Sequence, residues 1–466
     1  MTTFERIFLV AGLRVYRILC DHFNQLLDRG WCRSGCYLYK PNMEKTCCPQ
    51  YTIRLDIHKF VLSRSQKRVL RRMNDFLLYD KKPKSHSKEK SSDSKSNCQA
   101  TKQLQTSVND SKSPIIQTEF KKSERSLRGT KKKQIRKERA LQRMRDKGID
   151  VDEVYFKFEA GIIVFQQKRI EKEFARRRTL HSYVLDNEAT TFKHRLEIRL
   201  VSVNSEEFES MLNESFSLFE KYQSIVHHDE DRSLEGFIRF LVKSPLFSSE
   251  DETPSGVIIF SKQNIIPPTY ALGSYHQQYI LDDQLIAVAA IDILPRCLSA
   301  KYLFYDPDYD FLNLGTYSAL REILFTMELS KYRPDLHYYY MGYYIDSCPK
   351  MQYKSQFRPS DLLCDYSFTW VPVEKCVERL RQSGKKFVVF APDKSPPKQI
   401  PVKSVLCSYE WYVFNVGFIY SKKKGVVLPY GSLLRRPNFK ETESFMEEYA
   451  RLIGPLAKEI ILYRTP

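Results

Sequence analysis

The sequence predicts an α+β protein in which helices cover a mixed sheet. Three strand-like runs follow one another closely at Ser274–Leu281, Leu285–Leu294 and Leu298–Tyr305, and the second is continuously apolar, as in a central strand. A helical pattern over Leu314–Leu329 comes next, followed by another strand at His337–Ile345. Antiparallel strands, then a helix, then a further strand are typical of a mixed α/β architecture.

Composition limits the class of protein and its partners. The chain has 466 residues, of which 42% are hydrophobic, so two or three domains with a sizeable core are expected. The formal net charge of +19 favours a polyanionic partner such as nucleic acid, and an anionic membrane surface is the alternative. The apolar opening, Phe8–Leu19, is interrupted by Arg14 and Arg17, so it is a poor signal peptide. No apolar run is long enough for a transmembrane segment. Eleven cysteines without a secretion signal indicate reduced thiols or metal ligands in the cytoplasm or the nucleus.

The first segment, residues 1–79, combines apolar residues with clustered cysteines and predicts a small N-terminal Cys-containing domain. It ends in a predicted helix over Ser65–Leu78, where apolar residues recur at helical spacing. Residues 80–149 predict a linker. Its first part, 80–118, has too few apolar side chains to offset the entropy of an ordered chain, so we expect it to be disordered.

The second part of the linker is strongly basic. Residues 121–147 hold thirteen Lys or Arg and three acidic residues, a net charge of +10 (13 − 3), which is more than half of the charge of the chain. This segment predicts a clamp on the phosphate backbone of RNA, with Lys131, Lys132 and Lys133 as candidate tRNA contacts. A solvated charged face or a nuclear-localisation signal is the alternative interpretation.

Residues 150–372 predict the main globular domain, and residues 373–466 a C-terminal extension packed on it. A half-buried strand is expected at His194–Val203 and a helix from about Glu206 to Tyr222. The order of elements looks like the acyltransferase core of the acetyltransferase (GNAT) superfamily. There, backbone N–H groups at a helix N-terminus face a pyrophosphate or a similar anion, and Gly315 would occupy that turn here. An ordinary strand-to-helix loop is the alternative.

Three long stretches together resemble one family. They are Asp28–Arg54, Gly273–Arg321 and Tyr338–Cys364, with phrases such as YKP…TCCPQYTIR and YYYMG…CPKM.YK, and they resemble the eukaryotic arginyl-tRNA–protein transferases. The resemblance implies transfer of arginine from arginyl-tRNA to the N-terminal α-amine of proteins that begin with Asp or Glu. It further implies that the product is marked for ubiquitin-dependent degradation. It implies no cofactor for the chemical step, because the aminoacyl ester is already activated.

Aminolysis of an ester needs a base for the acceptor amine and, for this donor, a carboxylate for the guanidinium. Asp292 is the first candidate for the guanidinium, because an ionised carboxylate in an apolar strand is costly unless it is paired. A strand-end cap or a structural ion pair is its alternative role. His276 could act as base or donor, with Tyr275 and Gln277 beside it in the candidate catalytic group, although a lone strand histidine is often structural.

Further candidates follow from the two substrates. The arginyl guanidinium has Asp306 and Asp308 as alternative partners, and turn formation is their other role. The acceptor's acidic side chain needs cations, and the candidates after the tyrosine-rich strand are Lys350, Lys354 and Arg358, unless they only form a solvated basic loop. Tyr340 is a candidate substrate contact on that strand. Candidates for the tRNA 3′ end, with helix-surface roles as the alternative, are Gly315, Ser318 and Arg321.

The cysteine cluster departs from the family pattern. The resemblance implies a four-thiolate site for zinc, an iron–sulfur cluster or haem-linked redox control, built from an upstream Cys-x-x-Cys and a downstream Cys-Cys pair. This chain has the downstream pair, Cys47 and Cys48, but not the upstream motif. Cys20, Cys32 and Cys36 are the substitutes that it offers, and their spacing is not a strong zinc signature.

Two other functions stay open at this point. A catalytically impaired, RNA-binding or regulatory homologue would explain the altered cysteine pattern and the basic segment 121–147. An acyltransferase that uses acetyl-CoA fits the general order of elements, although the long family phrases argue against it. We expect a monomer whose partners are arginyl-tRNA and proteins with acidic N-termini.

Overall fold

The structure, a computed structural model, describes residues 10–82, 179–185, 192–248, 258–260, 272–384, 386–409, 426–429, 443–459 and 462–463. The strands in this part are β1 (Val10–Arg14), β2 (Ile18–Leu19), β3 (Cys32–Ser34), β4 (Tyr37–Pro41), β5 (Tyr51–Asp56), β6 (Leu196–Ser202), β7 (Leu246–Phe247), β8 (Ile258–Phe260), β9 (Gly273–Leu281), β10 (Gln284–Ile293), β11 (Cys297–Tyr305), β12 (Tyr338–Tyr344), β13 (Ser360–Leu363), β14 (Trp370–Pro372), β15 (Leu406–Tyr409), β16 (Val426–Pro429) and β17 (Leu462–Tyr463). The α-helices in it are α1 (Cys20–Leu27), α2 (Arg64–Tyr79), α3 (Leu180–Leu185), α4 (Glu206–Ser210), α5 (Leu212–Tyr222), α6 (Leu234–Phe237), α7 (Leu314–Ser330), α8 (Pro349–Gln352), α9 (Val373–Gln382) and α10 (Glu443–Ile453).

The largest sheet has nine strands in the order β14-β13-β5-β12-β11-β10-β9-β6-β8. Its neighbouring strands are antiparallel except for β11 and β12, which run parallel. A parallel pair needs a crossover connection, and α7 provides it here. The structure therefore confirms a large mixed sheet with helices.

The predicted elements match the observed ones closely around this crossover. The helix expected over Leu314–Leu329 is α7, and the strands expected before and after it are β9 to β12. The single helix expected from Glu206 to Tyr222 is instead two helices, α4 and α5. They are separated at Met211, whose φ of −101° and ψ of 1° lie outside the helical region.

Helices pack on both faces of the sheet. α2 and α7 share one hydrophobic core with apolar side chains of β5, β9, β10 and β12, and α5 and α6 share another with the opposite faces of β10 and β11. α2 begins in a capping box, in which the Ser63 hydroxyl accepts from the Gln66 N–H and the Gln66 side chain accepts from the Ser63 N–H. The helix expected at Ser65–Leu78 is therefore confirmed.

The first part of the chain contributes a strand to the middle of this sheet. β5 lies between β12 and β13, so the described residues from 10 to 82 and from 179 onward belong to one compact unit. A further core joins α1 to α10. The boundary after residue 79 coincides with the end of α2, but the division into domains 1–79, 150–372 and 373–466 stays a prediction about the sequence.

In the part of the chain that the structure describes, no helix has the length and apolar character to cross a bilayer. The basic segment 121–147, with Lys131, Lys132 and Lys133, lies outside the described residues.

Candidate active site

Two neighbouring strands separate near the centre of the sheet. β11 and β12 pair only between Cys297–Ser299 and Tyr338–Tyr340, although the strands run on to Tyr305 and Tyr344. Beyond those pairs the two strands no longer exchange hydrogen bonds. We call the space between them, beyond Ser299 and Tyr340, the β11–β12 cleft. Ligands of open α/β sheets bind where neighbouring strands part in this way.

A β-bulge places a lysine at the start of this cleft. Ala300 lies opposite Ile291 of β10, and Tyr302 lies opposite Ala290, so Lys301 is an extra residue of β11 without a cross-strand partner. Bulges are over-represented next to active sites, because they redirect a side chain out of the ladder. Lys301 was not among the residues predicted from the sequence.

Lys301 is half-buried, and the described residues offer its amine neither a hydrogen bond nor an ion pair. Burial lowers the pKa of Lys301 to about 7, with the charge of Arg33 adding to the effect. Asp292, Cys32 and Cys36 act in the opposite direction, because negative charge favours the ionised amine. A lysine that remains without a partner in such a setting is able to bind an anion.

A second lysine lies on the β12 side. β12 also carries an irregularity, between Tyr340 and Tyr343, where Gly342 has a φ of 68°. The Lys354 Nζ donates to the Tyr343 carbonyl at 2.7 Å, and burial lowers the pKa of Lys354 to about 8. Burial raises the pKa of the Cys32 thiol, and the charges of Lys354 and Lys301 act against that rise. The cleft therefore has two amines and no carboxylate paired to either of them in the described residues.

Asp292 is fully buried on β10 and already holds a guanidinium. Arg33 Nε donates to Asp292 Oδ2 at 2.8 Å, and Arg33 Nη2 forms the second bond, to Oδ1. Ser274 donates to the same carboxylate at 2.7 Å. Burial would raise the pKa of Asp292, but Arg33 and Lys301 outweigh burial and leave this pKa lowered. The structure thus gives Asp292 the buried ion pair that the sequence left open as its alternative role.

The candidate catalytic group on β9 is divided between the two faces of the sheet. His276 lies fully buried towards Phe208, and one ring nitrogen is 3.2 Å from the Leu241 carbonyl. Burial lowers the pKa of His276 to about 4, so the ring is neutral at pH 7. Tyr275 and Gln277 are buried on the opposite face, because side chains alternate along a strand. The three residues therefore do not converge, and their catalytic role stays a prediction.

The other acidic candidates hold structural partners. Asp306 and Asp308 both pair with Lys221, at 2.6 and 2.7 Å, and Asp306 also accepts from the Asp308 N–H at the start of a 3₁₀ turn. This is the turn-forming role that the sequence left open. Tyr340 is buried, and its hydroxyl donates a hydrogen bond to Asp28. It is the last residue of β12 that still pairs with β11.

The basic candidates after β12 point in different directions. Lys350 is exposed, while Arg358 forms a surface ion pair with Glu374 of α9 at 3.5 Å. Lys354 is the member of this group whose amine reaches β12. The structure thus brings the amine of one of these three residues to β12, and a role for any of them in binding the acceptor stays a prediction.

The tRNA candidates lie in the first turns of α7. Gly315 leaves room beside it, with Leu303 3.9 Å from where a Cβ would stand. The Ser318 hydroxyl donates to the Gly315 carbonyl at 3.3 Å, and Arg321 donates to the Tyr317 hydroxyl at 3.4 Å. These contacts hold the start of the helix, and a role in binding tRNA stays a prediction.

Comparison with known proteins assigns the chain to a family. Family models for arginine-tRNA-protein transferase match residues 8–68 (N terminus) and 214–364 (C terminus). Arginyl-tRNA–protein transferase 1 of Drosophila melanogaster is 36% identical over 392 residues, covering 78% of this chain and 77% of that protein. The chain belongs to the arginyl-tRNA–protein transferase family. Arginyl-tRNA–protein transferase 2 of Arabidopsis thaliana is 35% identical over 444 residues, covering 78% of this chain and 71% of that protein.

As a member of the arginyl-tRNA–protein transferase family, the protein is an aminoacyltransferase that moves arginine from tRNA to protein. The predicted family and enzyme class are thereby confirmed. An aspartate/glutamate leucyltransferase of Pseudomonas savastanoi pv. phaseolicola is 34% identical over 153 residues, covering 32% of this chain and 52% of that protein. The C-terminal family match, 214–364, contains both strands of the β11–β12 cleft.

The cysteines proposed as metal ligands in this arginyl-tRNA–protein transferase do not gather. Cys20 is buried at the start of α1, and Cys32 and Cys36 belong to the β3–β4 hairpin. The thiols of Cys47 and Cys48 are 2.9 Å apart in the loop after β4. Across the described ranges, no three His, Cys, Asp or Glu side chains form a group suited to a metal ion. These residues do not fit a four-thiolate site as they stand, and no step of the reaction is derived through a metal.

Two features of the candidate site were not predicted from the sequence. Lys301 is the one charged residue in the nine residues of β11, and that interruption of an apolar strand was the available signal. Arg33 lies in the Asp28–Arg54 stretch, but nothing in its spacing pointed to Asp292, which is 259 residues away.

Proposed function

We propose that this transferase attaches arginine, taken from arginyl-tRNA, to the N-terminal α-amine of proteins that begin with Asp or Glu. The observation that supports this acceptor is the pair of amines in the β11–β12 cleft, Lys301 and Lys354. Neither has a carboxylate within ion-pair distance among the described residues, and each loses positive character through burial. An acidic side chain that binds both amines would raise both pKa values again, because an opposite charge favours the ionised amine.

The proposed reaction is aminolysis of the ester that links arginine to the terminal ribose. The deprotonated α-amine attacks the ester carbonyl carbon and forms the new C–N bond. The C–O bond to the ribose then breaks, and the leaving oxygen takes up the proton released by the amine. Holding the acceptor by its side chain beside the ester supplies rate through proximity, since positioning replaces a bimolecular encounter.

The finer assignments rest on the order of elements and on resemblance. The run of antiparallel strands β9 to β11, the crossover helix α7 and the parallel strand β12 support a GNAT-like core for residues 150–372. A zinc or iron–sulfur group at the N-terminal cysteines is implied by the family resemblance alone, and the separation of those thiols argues against it. Ubiquitin-dependent degradation of the product is proposed from the family resemblance.

Transfer of labelled arginine to peptides tests the proposal. The protein should arginylate a peptide that begins with Asp and not one that begins with Val. Lys301→Met and Lys354→Met should each raise the KM for the Asp peptide by about 10- to 100-fold, the size expected for a lost hydrogen bond to a charged group. Lys331→Met is the matched control, because Lys331 pairs on the surface with Glu328.

Several outcomes would contradict the proposal. Equal transfer to the Asp and Val peptides would refute acidic selection. Binding of arginyl-tRNA without any product would instead favour the RNA-binding homologue without catalysis. Stabilisation by acetyl-CoA and not by arginyl-tRNA would favour a different acyltransferase. If both lysine variants kept the wild-type KM, the acceptor would be bound outside the β11–β12 cleft.

A further inference from the structure

A buried carboxyl group on the crossover helix is left without a cation. Glu322 of α7 is 3% exposed, and its Oε2 accepts a hydrogen bond from the Tyr339 hydroxyl at 2.9 Å. In the described part of the chain, no Lys, Arg or His side chain comes within ion-pair distance of it. Burial raises the pKa of Glu322 to about 8, so the free protein holds it mainly as the neutral acid. A buried acidic residue that neither forms an ion pair with a cation nor caps a helix is a candidate for binding a ligand.

Glu322 lies beside the β11–β12 cleft. Its partner Tyr339 is in the short stretch where the two strands still pair, next to the residue where pairing ends. Tyr353, in the 3₁₀ turn after α8, is 43% exposed, and its pKa is raised by burial of the phenol and by the charge of Glu322. The Tyr339 hydroxyl thus holds the Glu322 carboxyl at the residue of β12 that directly precedes the last strand pair.

We infer that Glu322 binds the guanidinium of the arginyl group carried by the tRNA. A carboxylate is the natural partner for a guanidinium, which offers two parallel N–H donors. Tyr339 occupies Oε2, and among the described residues no hydrogen bond reaches Oε1. Asp292, the other buried carboxylate near the cleft, is already saturated by Arg33 and Ser274. The inference rests on arginyl-tRNA as the donor and does not depend on the proposed acceptor.

Binding of the guanidinium is expected to release a proton from Glu322. The groups that face this carboxyl from other elements are Tyr339 on β12, Tyr279 on β9 and Tyr353 after α8. The pKa of each of these phenols is raised, so none of them titrates near pH 7. On its own helix, the neighbouring Arg321 donates to Tyr317 instead. Glu322 is thus the group in this cluster that can lose a proton at neutral pH.

The test compares two donors that differ only in charge. The probes are adenosine with arginine, or with its neutral isostere citrulline, joined to the 3′ position by a stable amide, measured by calorimetry without any acceptor. Wild-type protein should prefer the arginyl probe, and Glu322→Gln should reduce that preference by about 10- to 100-fold, because a charge-assisted pair is lost. Glu328→Gln, on the same helix but paired with Lys331, is the matched control and should keep the preference.

Proton release gives a second readout that a structural role would not change. Titrations at pH 7 in two buffers of different ionisation enthalpy should show release approaching one proton for wild-type protein and none for Glu322→Gln. An unchanged preference in Glu322→Gln, or equal binding of the two probes by wild-type protein, would overturn the inference. Because no acceptor is present, these results are independent of whether acidic N-termini are the substrates.

Discussion

Removing the cation from the buried Asp292–Arg33 pair should destabilise the protein strongly. In Arg33→Met, the carboxylate of Asp292 loses a two-point ion pair and keeps only the Ser274 hydroxyl at 2.7 Å and the nearby charge of Lys301. Breaking a buried pair from one side costs about 3–5 kcal/mol, because a buried charge is left uncompensated. Because Ser274 and Lys301 still stabilise the carboxylate, we expect the free energy of unfolding to fall by about 3 kcal/mol at pH 7, the lower end of that range.

The sign of the pH dependence follows from the lowered pKa of Asp292. Its pair stabilises the fold above the unfolded pKa of about 3.9 and is lost as pH falls through the folded pKa. In Arg33→Met the carboxyl is buried without its cation, so its pKa rises and protonation relieves the cost. The destabilisation should therefore be smaller at pH 5 than at pH 7, measured by urea unfolding followed by tryptophan fluorescence.

A double-mutant cycle makes the argument refutable. Adding Asp292→Leu to Arg33→Met should recover most of the lost stability, because an apolar pair replaces the unpaired charge. Arg358→Met, which breaks the exposed pair with Glu374, is the control and should change stability by under about 1 kcal/mol. A cost below about 1 kcal/mol for Arg33→Met, or the same cost in the Asp292→Leu background, would refute the reasoning. If the folded double variant still transfers arginine, Asp292 does not bind the substrate.

Three further predictions concern stability and pH. His276→Gln should lower the free energy of unfolding by about 1–3 kcal/mol. It should leave the shape of the activity profile between pH 6 and 8 unchanged, because a pKa of about 4 keeps the ring neutral there. Loss of the acidic limb of that profile near pH 6.5 in the variant would contradict the prediction. Gly35→Ala should lower the unfolding midpoint more than Gly384→Ala. Both have positive φ, but a Cβ at Gly35 would lie 2.0 Å from the Arg239 carbonyl oxygen, and equal shifts would count against that clash. Burial would lower the pKa of His194, yet two carboxylates outweigh it and leave the pKa raised, so its stabilisation is present below about pH 6.5 and lost as pH rises. The cost of His194→Gln in urea unfolding should accordingly reach up to about 1 kcal/mol at pH 6 and vanish by pH 9; a larger cost at high pH would reverse the assignment.

The sequence predicts local structure well wherever periodicity is strong. β9 to β12 and α7 begin and end within one or two residues of the expected positions, because apolar or aromatic runs of strand length and a long apolar helix leave little ambiguity. The division at Met211 was not predicted, since nothing in the apolar pattern of residues 206–222 marks a change of backbone angle there.

Long-range pairing could not be predicted. The apolar pattern of Tyr51–Asp56 allows a strand, but it does not specify β12 and β13 as its neighbours. For the same reason Asp292 was recognised as a carboxylate in need of a partner, while Arg33 was not recognised as that partner. Lys301 differs from other lysines through a bulge, and a bulge depends on register between strands that the sequence leaves open.

The position of β5 in the sheet has a consequence for how the chain matures on the ribosome. Its neighbour β12 begins at Tyr338, which is translated 282 residues after Asp56 (338 − 56 = 282). At about 5–20 residues per second, the nascent chain carries this unpaired strand, with its apolar residues Tyr51, Ile53 and Leu55, for roughly 14–56 s before its neighbour has been made. Early emergence thus creates an aggregation hazard, and we expect a holding chaperone to raise the yield of active enzyme during synthesis in a cell-free system.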